Sequence, residues 1–309
     1  MTTLAELLRD MRATLADGGV PTPEVDAELL LAHVLGETRG RVQALALMGR
    51  EVSAQDRARA LALADERASR VPLQHLTGRA PFRTLELAVG PGVFVPRPET
   101  EVVAQFAIDA LAAVPDPAPL AVDLCTGSGA LALALAAEVP GVRVWAVEKS
   151  PEAHAWAARN VAALGDGRVT LVLGDVRELD PRVAPDEAQD PAAVFAPLRG
   201  RVQVLVSNPP YVPDDMVPRD PEVREHDPAL ALFGGPDGLY LVRVISRIGL
   251  DLVAPGGTLV LEHAETQGAA IRGLLAADGW LDSATHPDLT GRDRATVARR
   301  PGARLDPVP

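Results

Sequence analysis

Apolar positions recur along the chain in two rhythms, and the change between them divides it. The first seventy residues follow helical spacing. Thr3 and Glu6 form a T-x-x-E capping box, and Leu4, Leu7, Leu8, Met11 and Leu15 follow until Gly18-Gly19 stops the run. Thr22-Pro23 supplies an N-cap and an N1 proline for a second helix carrying Leu30, Leu31, Val34 and Leu35, which ends at Gly36. A third helix is predicted over about Arg41 to Met48, and a fourth from Ser53 to near Arg70, ahead of Pro72. Short amphipathic helices bury their stripes against one another, so residues 1–72 are predicted to be a helical bundle. Its role is either stability or substrate docking.

From Leu73 to Val95, Gly78, Pro81, Gly90, Pro91 and Gly92 punctuate short stretches such as Thr84 to Val89, which reads as a β-hairpin connector over 73–95. Residues 96–309 then alternate. A helix over about Thr100 to Ala113 precedes a strand at Leu120–Leu124, a helix at Ala130–Glu138, a strand at Val142–Val147 and a helix over about Pro151 to Leu164. Strands follow at Val169–Leu173 and Val202–Val206, then a helix at Leu239–Val253, a strand at Thr258–Leu261 and a helix at Thr266–Asp278. Such alternation means an α/β fold with a parallel, doubly wound, Rossmann-like sheet. The last two strands, near Leu281–His286 and Ala295–Arg299, lack a helix between them and are predicted to form an antiparallel edge. That makes seven strands. Asp180–Gly200, with four prolines and several acids, is expected to be a mobile insertion, and Pro213–Pro228 a lid.

Composition narrows the function. Net charge is −12, which disfavours a protein held on nucleic acid or anionic lipid. Cys125 is the single cysteine, so neither an intrachain disulfide nor a thiolate metal cluster is available. The six histidines are scattered, and no metal site is expected. The longest apolar run, Ala130 to Ala137, is far short of a membrane span, and the first residues do not read as a secretory signal. A cytoplasmic location is expected. Lys149 is the only lysine.

Val122-Asp123-Leu124-Cys125-Thr126-Gly127-Ser128-Gly129 leaves a strand and enters a helix. Glycines there let a backbone approach a ligand closely, at the place where such sheets bind nucleotides. Glu148 ends the next strand, nineteen residues after Gly129, where a carboxylate can accept ribose hydroxyls. These features predict a nucleoside-containing cofactor without separating a nicotinamide dinucleotide from S-adenosylmethionine. Asp123 tips the balance, since a carboxylate would repel a pyrophosphate but suits the ammonium of a methionine moiety. Asp175 follows the third strand in Gly174-Asp175-Val176, where it can accept an adenine amine or simply cap a turn.

The fourth strand runs into Ser207-Asn208-Pro209-Pro210-Tyr211. A planar NH₂ is a poor nucleophile because its lone pair is delocalised. Two fixed oxygens that accept both of its hydrogens leave that lone pair aimed at an electrophile. The Asn208 side-chain oxygen and the Pro209 carbonyl are such a pair, with proline holding the backbone in place. Tyr211 supplies a flat wall. The electrophile would be a sulfonium methyl attacked in line, and positioning of this kind can supply about 7–11 kcal/mol.

This motif resembles class I methyltransferases acting on planar nitrogens, and several further segments resemble the HemK-type protein-glutamine N5 methyltransferases of release factors. They are Pro72–Gly78, Pro91–Glu101 with its Arg97-Pro98-Glu99-Thr100-Glu101, Asp227–Leu239, Leu261-Glu262-His263 and Asp288–Arg294. The resemblance implies that S-adenosylmethionine methylates the glutamine of the Gly-Gly-Gln loop of class 1 peptide-chain release factors. It places cofactor contacts on Asp123, Cys125, Thr126, Gly127, Ser128, Gly129, Glu148, Asp175, Val176 and Asn208. Asn208, Pro209 and Tyr211 would be catalytic, and Asn208, Pro209, Pro210 and Tyr211 would touch substrate. A monomer is expected. Three positions depart from the family pattern. Cys125 replaces a usual glycine, Val176 a usual aromatic, and Asp227-Pro228 a Glu-Pro. The alternatives are an N6-adenine methyltransferase on DNA or RNA, which needs a basic groove, a nicotinamide dehydrogenase, which leaves Asn208–Tyr211 unexplained, and a silent binding module.

Overall fold

The computed structural model describes residues 2–183 and 191–302. Two compact units emerge. The first comprises residues 1–79, 89–91 and 217–226, and the second the remainder.

In the first unit the capping box is formed. Thr3 N–H donates to Glu6 Oε2 at 2.9 Å, and Glu6 N–H to Thr3 Oγ1 at 3.2 Å. It starts α1 (Leu4–Asp17), followed by α2 (Pro23–Leu35), α3 (Arg39–Leu47) and α4 (Ala54–Ala68). Leu7, Met11, Leu15, Leu30 and Leu31 are fully buried between them. Burying aliphatic side chains at about 1.5–3 kcal/mol each is what holds such short helices. Asp26 and Arg67 form a buried ion pair at 2.8 Å. The Pro213–Pro228 lid expectation needs correction here. The segment holds a helix at Pro221–His226, and Glu222 takes Arg67 at 2.9 Å and Arg70 at 2.5 Å. Residues 217–226 are thus anchored by ion pairs to the α4 end of the bundle.

The second unit is a seven-stranded sheet: β1 (Leu120–Leu124), β2 (Arg143–Glu148), β3 (Val169–Leu173), β4 (Val202–Ser207), β5 (Val253–Glu262), β6 (Leu281–Pro287) and β7 (Asp293–Arg299). Their order is β6-β7-β5-β4-β1-β2-β3, parallel except at β7, which runs antiparallel to both neighbours. The chain starts at β1 in the middle, winds outward through β3, and then crosses back to β4. The β1/β4 boundary is therefore the topological switch point, where open α/β sheets bind ligands beyond the strand C-termini.

One core fills each face. On one, α5 (Pro98–Ala112) and α6 (Ala130–Glu138) pack with Phe82 and Leu87 of the hairpin. On the other, α8 (Tyr240–Leu252) and α9 (Gly268–Asp278) pack with Trp280, Phe195 and Leu198. α7 (Pro151–Leu164) lies beside β2 and β3. The mobile-insertion reading of Asp180–Gly200 is overturned only for its C-terminal part. Residues 184–190 lie outside the described residues, but Pro191–Phe195 and Ala196–Leu198 are helical, and Phe195 and Leu198 are buried in the core. Their prolines sit at helix starts, where proline fits.

The connector differs from expectation at both ends. Leu73–Thr77 is a short helix, closed by Gly78 at φ 72°. The hairpin proper, Arg79–Phe82 and Leu85–Ala88, turns at Arg83, whose φ is 53°. The Arg83 guanidinium clasps Glu138 at 2.5 and 2.6 Å, and its amide donates to Glu101 at 3.0 Å. The hairpin is thus a layer of the α/β core.

Candidate active site

The loop after β1 turns on left-handed backbone at Cys125 (φ 62°), Gly127 (φ 58°) and Gly129 (φ 87°). Nothing lies within 4 Å of where a Cβ on Gly127 would point, so a ligand can approach that backbone. Cys125 adopts the conformation for which glycine is usual, a cost of about 1–2 kcal/mol for a residue with a Cβ. Burial and the carboxylates of Glu148 and Asp123 push its thiol pKa up, which makes it inert as a nucleophile.

Asp123 is fully buried. Its Oδ2 accepts the Thr126 hydroxyl at 2.5 Å and the Ala132 amide at 3.1 Å, which pins the loop to the start of α6. Its Oδ1 has no hydrogen-bond partner. Desolvation outweighs those two bonds and raises its pKa to about 7. A buried carboxylate oxygen without a donor fits a cationic group such as an ammonium.

Glu148 ends β2, buried, with Oε2 accepting Gly127 N–H at 2.9 Å and Oε1 accepting Ser150 N–H at 2.7 Å. Burial raises its pKa against those hydrogen bonds. Each oxygen keeps a lone pair for a diol. Asp175 caps the 3₁₀ turn Val176–Leu179, as its simpler reading had it. It takes Arg177 N–H at 2.9 Å and pairs with Arg177 at 2.5 Å and with Lys149 at 3.0 Å. Although partly desolvated, it is held by these groups at a pKa of about 2. Val176 is buried in the core with Leu179.

Beyond β4, Asn208 is half-buried, Pro209 and Pro210 are buried, and Tyr211 is half-buried. Pairing of Leu124 with Ser207 brings the glycine loop and the Asn208–Tyr211 loop off the sheet at one level. Asn208 Nδ2 donates to Thr100 Oγ1 at 3.4 Å, in the first turn of α5. Ahead of that turn, Arg97 lies 5.0 Å over the Phe94 ring and pairs with the buried Asp227 carboxylate at 2.6 Å. The structure thus brings Asp123, the glycine loop, Glu148 and Asn208–Tyr211 to one end of the sheet, with Asp175 and Val176 beyond β3.

Several supports escaped the sequence reading. Asn160 Nδ2 donates to Ser128 O at 2.9 Å and to Ala88 O at 3.0 Å, bracing the glycine loop against the hairpin. Gln267 Nε2 donates to Tyr211 O at 2.9 Å. Val212 N–H donates to Leu232 O at 2.8 Å, and Gly234 N–H to Val212 O at 2.9 Å. A Cβ at Gly234 would strike the Pro210 carbonyl, and one at Gly238 the Tyr211 carbonyl. The glycine-rich Gly234-Gly235-Pro236-Asp237-Gly238 was the available signal. Glu262, at the end of β5, is 2% exposed and faces Thr100 and Asn208.

A Rossmann-like sheet with β7 antiparallel, a glycine loop after β1, an acid ending β2 and Asn-Pro-Pro-Tyr after β4 defines a class I methyltransferase. A family model of the PrmC N-terminal domain matches residues 6–78, and one of a Methyltransferase domain matches residues 121–197. The release factor glutamine methyltransferase of Streptomyces coelicolor is 47% identical over 93% of this chain and 94% of that protein. That of Bifidobacterium longum is 42% identical over 96% and 99%. The crystal structure of a protein-(glutamine-N5) methyltransferase (release factor-specific) from Alicyclobacillus acidocaldarius aligns with 26% identity over 69% of this chain and 98% of that one, at a TM-score of 0.39. The chain belongs to the release factor glutamine methyltransferase family. Among the described residues, no helix is long and apolar enough to cross a membrane.

Proposed function

We propose that this enzyme methylates the N5 amide nitrogen of the glutamine in the Gly-Gly-Gln loop of class 1 peptide-chain release factors. The observation that carries the reading is the placement of Asn208 and Pro209 beside the glycine loop at the switch point, in a chain of this family. S-adenosylmethionine, when bound, supplies an electrophilic methyl group.

The protein's own residues bind and orient. Asp123, through its unpartnered Oδ1, would hold the ammonium, Glu148 the ribose hydroxyls, and the backbone of Cys125–Gly129, with Thr126 and Ser128, the methionine part. Asp175, already paired with Arg177 and Lys149, would also accept the adenine amine, and Val176, mostly buried with Leu179, would border the base only with the small surface it keeps. Asn208 Oδ1 and the Pro209 carbonyl accept the two amide hydrogens of the glutamine, Pro210 keeps the loop rigid, and Tyr211 walls the planar group. The amide nitrogen would form its bond to the methyl carbon as the sulfonium S–CH₃ bond breaks, leaving N5-methylglutamine and S-adenosylhomocysteine, and the displaced N–H proton would pass to solvent, so no nucleophile of the enzyme takes part. Residues 96–309 would carry this chemistry, with residues 1–72 as a separate helical domain joined by 73–95. The same reading places the enzyme in the cytoplasm as a monomer.

The test is transfer of label from S-adenosylmethionine to an unmodified release factor, beside a variant whose loop glutamine is alanine. Label in the unaltered factor alone supports the reading. Label in neither, with cofactor binding intact, moves the search to another planar nitrogen, including adenine in nucleic acid. Asn208→Ala should lower kcat by about 10²–10³, with S-adenosylmethionine affinity nearly kept.

A further inference from the structure

Glu262 has no place in that account, yet its position is unusual. It is 2% exposed and makes no ion pair among the described residues. Its Oε2 has no hydrogen-bond partner. A buried carboxylate without an ion pair and with one oxygen left without a partner costs stability, which calls for a gain elsewhere.

Ser207 and Leu261 are register partners on the parallel strands β4 and β5, so the next residues, Asn208 just beyond β4 and Glu262 at the last position of β5, stand side by side. Thr100, 4% exposed, closes the group from the first turn of α5. The Asn208 amide donates to the Thr100 hydroxyl at 3.4 Å, and both groups favour the charged form of Glu262.

An asparagine amide has nearly the same shape after a half-turn about its last bond, but the turn exchanges acceptor for donor. Methyl transfer as read above needs the oxygen toward the substrate. An ionised carboxylate only accepts, so it holds the nitrogen side of Asn208 inward. We propose that Glu262, with Thr100, is a positioning residue that fixes the Asn208 side chain with Oδ1 presented to the substrate amide. The proposal rests on the reading of Asn208 as the acceptor of the glutamine N–H.

Other charged groups surround Glu262. Arg294 on β7 favours its charge, and Glu99 on α5 opposes it. Arg294 itself is engaged with Asp288 at 3.7 Å and with the His263 carbonyl at 3.2 Å. Tyr211 lies near, its hydroxyl kept protonated by burial and by Glu262. The His263 ring is committed to Ala264 O and Thr296 Oγ1, both at 2.8 Å. Burial leaves the Glu262 pKa near neutrality, at about 7. The Asn208 lock therefore tightens as pH rises through that value.

The experiment compares the full-length wild type, Glu262→Gln and Thr100→Val with a release factor as methyl acceptor. The wild type is read first. Failure to methylate the glutamine overturns the underlying reading and the proposal with it. Given that transfer, Glu262→Gln should cut kcat about tenfold or more, with S-adenosylmethionine affinity and thermal midpoint no worse than wild type. At saturating S-adenosylmethionine, which removes the pH dependence of cofactor binding, the wild-type kcat should climb with pH between about 6 and 8, and that climb should be absent in Glu262→Gln. Wild-type kcat with the wild-type pH profile in this variant overturns the proposal alone. Should Glu262→Gln fail to fold, Thr100→Val decides. A fall in kcat at unchanged cofactor affinity supports the lock, and an unchanged kcat overturns it.

Discussion

The Ser207 hydroxyl donates to the Leu124 carbonyl at 2.5 Å, across the two strands that meet at the switch point. Ser207 is fully buried, and Leu124 is the last residue of β1. The bond ties the root of the loop carrying Asn208 to the root of the glycine loop. Ser207→Ala leaves the Leu124 carbonyl short of a donor. It should destabilise the protein by about 1–3 kcal/mol, read from the urea midpoint at constant slope, and lower kcat more than it raises KM.

Asp123 should make cofactor binding pH-dependent. Its pKa of about 7 means that the free enzyme carries part of this carboxylate protonated at neutral pH. Calorimetry should show S-adenosylmethionine binding weakening as pH falls through that value, with proton release on binding near it. Asp123→Asn should remove both effects and weaken binding about tenfold or more. The stability sign is opposite. Because its folded pKa lies above the unfolded value of 3.8, Asp123 contributes stability at low pH that is lost as pH rises through about 7.

Gly238 stands at φ 69° against the Tyr211 carbonyl, where a Cβ would collide. Gly238→Ala should therefore displace the Asn-Pro-Pro-Tyr loop. The expected outcome is a loss of kcat of roughly tenfold to a hundredfold, with the strained backbone adding about 1–2 kcal/mol of destabilisation. Gly279, at φ 101° with nothing nearby, is the control, with a modest stability loss and full turnover.

Glu222 is the anchor of residues 217–226. Though partly desolvated, it is held by Arg70 and Arg67 at a pKa of about 2. Its contribution is present above the unfolded value of 4.5 and lost as pH falls through about 2. Glu222→Gln should remove that part of the acid sensitivity. Increased protease cleavage within 217–226 at neutral pH is the local readout.

Much of the second unit was legible because its signals are local. The short apolar runs that lead to Asp123, Glu148 and Asn208 mark three of the strands, and the polar residues at their C-terminal ends stand out from them. Local signals also misled. Pro72 and Gly78 look like hairpin punctuation, yet they bracket a turn of helix. The prolines of 181–197 look like loop, while Phe195 and Leu198 carry the apolar contacts that fold part of that stretch onto the core. Glu262 lay out of reach for a different reason. Fifty-four residues separate it from Asn208, and only the pairing of Ser207 with Leu261 makes them neighbours. Gly238 and Asn160 belong to the same class, since their value lies in a carbonyl brought near by the fold.

The pairing of Lys149 with Asp175 has a practical side. Lys149 is the only lysine in the chain, it is 46% exposed, and it stands one residue after Glu148. An amine-directed fluorophore thus has a single side-chain target, fixed at the rim where the adenosine would lie. With adenosine bound there, its reactivity would report occupancy, and ligands could be titrated without a radioactive label.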